Sequence, residues 1–112
     1  MSTEKTIQSI QKEVDKYIGQ YKEGYFPPFE MLARMSEELG ELAREVQHVH
    51  GMKKKKSTEA RKSMEEELGD LLFVIICFAN AENIDLQKAH DRVMDKFNVR
   101  DQNRWTLKEE LK

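Results

Sequence analysis

Nine consecutive residues from Leu71 to Ala79, LLFVIICFA, carry no charged or amide side chain. At 100° per residue a helix through them is apolar on every side, and such a helix must be surrounded. The run is too short to cross a bilayer, which takes about 20 apolar residues. Its cover must come from other protein. A chain of 112 residues is the size of one domain, read here as 1–112 with a core over about 3–100 and a charged tail over about 101–112. In so small a domain a partner subunit is the natural cover, which places this helix at the centre of a homo-oligomer.

The rest of the chain reads as helix too. Ile7, Ile10, Val14, Tyr17, Ile18 and Tyr21 recur at steps of three and four, predicting an amphipathic helix over about 3–22 that Gly24, Pro27 and Pro28 stop. Met31, Leu32, Met35, Leu39, Leu42, Val46 and Val49 form a second stripe, ended by Gly51. After the basic connector GMKKKKS, Ser57 or Thr58 can cap the third helix, which runs to about Asn80. Asn83 breaks the pattern, and Asp85 caps a fourth helix whose inner stripe is Leu86, Ala89, Val93 and Phe97. The fold class is therefore all-α, a compact four-helix bundle.

Charge and cysteine usage narrow the function. With 19 basic and 21 acidic residues the net charge is −2, which gives no overall drive toward nucleic acid or an anionic membrane. The one cysteine, Cys77, allows neither an intrachain disulfide nor a zinc motif, and the start MSTEKTIQSI is unlike a signal peptide. A soluble protein of the reducing cytoplasm is expected.

One string is written twice. Residues 37–41 read EELGE and residues 66–70 read EELGD. Glu38 and Glu41 lie about 60° apart on one helix flank, and Glu67 and Asp70 repeat the relation. In a chain this acidic, either string alone suits a solvated face. The flank continues, however, from Glu67 to Leu71 and from Asp70 to Val74 and Cys77, straight into apolar surface. Carboxylates held together at a core margin raise one another's pKa unless a cation joins them. Four carboxylates without cysteine form a hard oxygen site, suited to Mg²⁺ or Mn²⁺. A di-iron bundle would need Glu-x-x-His on two helices, and only Glu45-Val-Gln-His48 fits, so His48 and His50 read as surface residues near a helix end. The glycine in each string costs a helix about 0.5–1 kcal/mol against alanine, which a close helix approach would offset.

Mg²⁺ commonly binds through a few carboxylates together with substrate phosphates. Lys96, Arg100 and Arg104, four residues apart, share a face if the fourth helix reaches that far, and could hold a polyphosphate; a solvated basic helix end is the plainer reading. The run Lys53 to Lys56 reads as a solvated loop that could steer anions. No Walker-type loop, GxGxxG or Gly-x-Ser-x-Gly occurs, so phosphate recognition would depend on metal and side chains.

Glu37-Glu38-Leu39-Gly40-Glu41, a spacer, then Glu67-Leu68-Gly69-Asp70 resembles the EExxE, ExxD signature of the MazG-like nucleoside triphosphate pyrophosphohydrolases. The stretch YFPPFEMLARMSEELGELAREVQHVHG with its lysine run is similar to the YpjD-type branch, and the likeness covers about residues 20–105. The resemblance implies an all-α fold assembling as a dimer or dimer-based tetramer. It implies Mg²⁺-dependent cleavage of a nucleoside triphosphate between the α and β phosphates, giving the monophosphate and pyrophosphate. By the same match Glu38, Glu41, Glu67 and Asp70 bind metal, while Glu37 binds a second metal or orients water. Lys96, Arg100 and Arg104 fall at basic phosphate contacts, and Trp105 either stacks on a base or caps the core. Glu37 or Glu41 is the expected general base. The alternative is a noncatalytic helical oligomerisation or nucleotide-sensing module.

Overall fold

Local chemistry sets where each helix begins. Thr6 and Ser9 form a reciprocal capping box, the Thr6 hydroxyl accepting from Ser9 N–H at 3.0 Å and the Ser9 hydroxyl from Thr6 N–H at 2.9 Å. Pro28 opens the second helix, where its missing N–H costs nothing. Asp85 caps the fourth, accepting from Gln87 N–H at 2.9 Å and Lys88 N–H at 3.2 Å. The computed structural model describes residues 4–51 and 57–108. Its elements are α1 (Ile7–Ile18), α2 (Pro28–His50), α3 (Ser57–Ala81) and α4 (Leu86–Arg100), with no strand among the described residues.

The all-α expectation holds, with shifted boundaries. α1 is shorter than its apolar period suggests, because the capping box fixes its start and Gly19 closes its end; Tyr21 lies beyond it. Asn83 does break the chain between α3 and α4, taking φ +57°, a left-handed turn that asparagine tolerates. The lysine run 53–56 and the side chains of Ser57 and Thr58 lie outside the described residues.

α2 and α3 pair along much of their length as an antiparallel hairpin: Met31, early in α2, shares a cluster with Ile76 and Cys77, late in α3. α1 packs across the late part of α3, adding Val14 to that cluster, and α4 packs on α1. The core thus sits at one end of the hairpin. Ile10, Ile18, Tyr25, Phe78 and Leu86 close around it. Along α3 the apolar run is only half enclosed: Val74, Ile76, Cys77 and Ala79 are buried, whereas Leu72 and Phe73 are exposed. The inner stripe of α4 is likewise thinly covered, with Val93 exposed and no residue fully buried.

A polar knot fastens the four segments at this end. Gln11 donates to Asn80 Oδ1 and to the Ile84 carbonyl, both at 2.9 Å, and its own carbonyl oxygen Oε1 accepts from Leu86 N–H at 2.9 Å. Asn80 Nδ2 donates to the Gln11 main-chain carbonyl at 2.9 Å and to the Tyr25 hydroxyl at 3.0 Å, while that hydroxyl donates to Asp15 at 2.7 Å. Burial, with the Asp15 hydrogen bond, pushes the Tyr25 phenol up to about 12. Asn80→Leu removes three of these bonds and strands partly buried partners, so a loss of about 1–3 kcal/mol is expected in denaturant unfolding. An unchanged midpoint would show that the knot carries no stability.

Candidate functional site

Where α2 and α3 pass each other midway along the hairpin, their facing flanks carry carboxylates. Glu38, Glu67 and Asp70 each present an oxygen, and these oxygens lie within 4.8 Å of one another. Glu41 joins through a hydrogen bond with Glu67. The two acidic strings therefore meet across the seam. Glu37 is exposed, one residue and 100° around α2 from Glu38.

The cluster is electrostatically uncomfortable. The hydrogen bond that its protonated carboxyl donates to Glu41 does most to raise Glu67, followed by desolvation and by the charges of Glu41, Asp70 and Glu38, and it reaches about 7. Glu38 is raised first by desolvation and then by Glu41 and Asp70, against a hydrogen bond with Glu67 and the charge of Arg34. Arg34 stands one turn before Glu38 on α2, a neighbour the acidic strings did not single out. Glu38 Oε2 and Glu67 Oε2 are both buried without a hydrogen-bond partner. Buried oxygens left unmatched cost free energy that a cation recovers, so the donor set fits a hard divalent ion held by Glu38, Glu67 and Asp70 with Glu41 beside them.

Other sequence expectations land elsewhere. α4 ends at Arg100, so Arg104 does not continue its helical row. Instead Asp101 gathers both arginines, its carboxylate 3.0 Å from Arg100 Nε and 3.8 Å from Arg104 Nη1, and the Arg100 hydrogen bond holds it below the usual carboxylate range. Lys96 and Arg100 lie over the Phe97 ring. Trp105 is exposed with Arg104 over its face, and does not cap the core. His48 is no simple surface residue: it is half-buried, with Nδ1 2.7 Å from Oε2 of the buried Glu45. The Glu-x-x-His spacing was the signal, and it marks a pair within α2. The glycines differ too. A Cβ at Gly40 or Gly69 would meet nothing within 4 Å, so neither serves the contact between α2 and α3.

An all-α hairpin with carboxylates facing one another across its seam is a helical bundle with a candidate metal site, and its relatives say which family it falls in. Residues 26–105 match the MazG nucleotide pyrophosphohydrolase domain, and the chain belongs to that family of enzymes acting on nucleotides. It is 64% identical over 110 residues to the uncharacterized protein YpjD of Bacillus subtilis (strain 168), covering 98% of this chain and 99% of that protein. The crystal structure of YPJD from Bacillus subtilis matches with a TM-score of 0.80 at 65% identity, over 88% of this chain and 99% of that one. That of the Bacillus-conserved MazG protein, a nucleotide pyrophosphohydrolase, matches with a TM-score of 0.77 at 57% identity, over 92% and 100%.

The raised Glu67 pKa has a signed consequence. A carboxyl that holds its proton more tightly when folded adds stability below its ordinary 4.5, and that stability is lost as pH rises to about 7. The thermal midpoint of the metal-free chain should therefore fall across this window relative to Glu67→Gln, and added Mg²⁺ should raise it again at pH 8 in the native chain alone. Parallel profiles for the two chains would refute the cluster's strain.

Proposed function

We propose that this chain is a Mg²⁺-dependent nucleoside triphosphate pyrophosphohydrolase, cleaving a (d)NTP between the α and β phosphates to the monophosphate and pyrophosphate. The observation that carries the reading is the pair of buried, unpartnered oxygens on Glu38 and Glu67 within an all-carboxylate cluster, in a chain of the MazG family. The resident ion, Mg²⁺ with Mn²⁺ as a substitute, supplies phosphate charge neutralisation and a more acidic water. Glu41 takes the proton of the attacking water, because its carboxylate accepts a hydrogen bond from Glu67 and lies at the seam. Glu37, one residue from the cluster, is the second candidate for that base. Lys96 and Arg100 at the end of α4, with Arg104 beyond it and no longer in their row, are the proposed contacts for the leaving phosphates, and house-cleaning of the cytoplasmic nucleotide pool is the setting. No described helix is long and apolar enough to cross a membrane.

A second copy of the chain completes the fold. Leu32, Leu39 and Val46 are exposed at steps of seven along α2, one continuous stripe, and Leu68 and Leu72 are exposed one turn apart on α3. The radius of gyration is 18.0 Å, where a compact chain of this length has about 13 Å. These faces pack in a homodimer or a dimer-based tetramer.

Pyrophosphate release from a panel of (d)NTPs with Mg²⁺ tests the chemistry. Glu41→Gln is expected to slow turnover by roughly 10²- to 10⁴-fold, and Glu38→Gln and Asp70→Asn to abolish Mg²⁺ activation. A native chain inactive on every nucleotide would return the protein to an oligomerisation or sensing module. Light scattering tests the assembly: Leu39→Glu with Leu72→Glu should yield monomers, and a monomeric native chain would refute it.

A further inference from the structure

Even with a divalent ion in place, the carboxylates of Glu38, Glu41, Glu67 and Asp70 outweigh its charge, so the seam stays negative. A triphosphate brings more charge of the same sign. Holding it there calls for a fixed cation beside the metal. The basic residues proposed above stand at and beyond the end of α4, a helix packed on α1, and two of them are already drawn to Asp101. Arg34 differs on each count.

It rises from α2 itself, four residues before Glu38 and seven before Glu41, so the three share one flank of the helix. Its charge is felt at Glu38, where it offsets part of the repulsion from Glu41 and Asp70. Yet no carboxylate takes it: among the described residues Arg34 makes neither an ion pair nor a hydrogen bond. On α3, Phe73 and Val74 line the same narrow cleft as Arg34, which gives its aliphatic stem an apolar wall to lie along while the residue stays exposed. A guanidinium set beside carboxylates and paired with none keeps its N–H donors open to a ligand.

Resting on the hydrolase reading of the seam, we infer that Arg34 is a substrate-binding residue, its guanidinium taking non-bridging oxygens of the triphosphate beside the carboxylate cluster. Planar, forked and permanently charged, the group meets two oxygens of one phosphate at once. Position assigns the role. An anion bound at Glu38, Glu67 and Asp70 has Arg34 as its neighbour one turn along α2, on the side toward Met31 and the core. The residue therefore supplies the positive charge that the cluster lacks, from the same helix that carries half of the carboxylates.

The experiment sets Arg34→Gln against the native chain in three measurements: kcat/KM for the dNTP hydrolysed best at saturating Mg²⁺, the inhibition constant of inorganic tripolyphosphate, and Mg²⁺ affinity by calorimetry without nucleotide. In Arg34→Gln, kcat/KM should fall roughly 10- to 100-fold, the loss of a charge-assisted contact. Tripolyphosphate, which has neither sugar nor base, should inhibit the variant more weakly by roughly the same 10- to 100-fold. Mg²⁺ should bind the variant at least as tightly as the native chain, because a repelling cation has left the cluster. Arg34 is exposed, so a folded variant is expected, with an unchanged thermal midpoint as the check. An unchanged kcat/KM overturns the assignment while the hydrolase reading stands. Weaker Mg²⁺ binding in step with the lost activity also overturns it, since Arg34 then acts by shaping the metal site. So does lost activity with tripolyphosphate inhibition unchanged, which moves the contact off the phosphates. A native chain that releases pyrophosphate from no nucleotide overturns both readings.

Discussion

Mutual repulsion among carboxylates at the α2–α3 seam is the constraint around which the molecule is arranged. Oxygens of Glu38, Glu67 and Asp70 are brought within 4.8 Å by the pairing of two long helices, each of which would be easier to pack with neutral residues there. What holds them is the hairpin itself, anchored at its far end where Met31, Ile76 and Cys77 interlock with Val14. Apolar burial at one end thus positions charge in the middle. Since α1 lies on the late part of α3, the seam is left uncovered by the helix that closes the core.

A shared proton follows from the same arrangement. Two carboxyls joined by a hydrogen bond, as Glu67 and Glu41 are, need one hydrogen between them, and Glu67, the donor, is raised to about 7. A cation taken up at the seam would have to displace that proton, so binding there would be coupled to proton release.

Much of this was readable in the sequence, for identifiable reasons. Helix number, type and order followed from apolar period, and the caps at Asp85 and the break at Asn83 followed from residues whose side chains act on their own backbone. The carboxylate cluster was legible because one string was repeated at a distance that returns an antiparallel helix to the same level. What failed was anything decided by neighbours across space. The row Lys96, Arg100, Arg104 assumed a helix that Asp101 ends, and the glycines were expected to face α3 or α2 when they face away. His48 looked exposed because its burial beside Glu45 depends on how α2 is covered. Arg34 and Tyr25 carry no motif, and their roles come from what the hairpin places beside them.

The hydrogen bonds of Gln11 have a consequence for how the chain comes apart. α4 buries no residue of its own fully, and its first turn is tied to Gln11 and Gln8, from the opposite end of the sequence. Its persistence is borrowed. When α1 lifts, α4 loses its attachment at once, while the hairpin keeps most of its own contacts. α1 and α4 are therefore expected to open together, below the energy of global unfolding, so that amide exchange in α4 would depend on a residue 75 positions away.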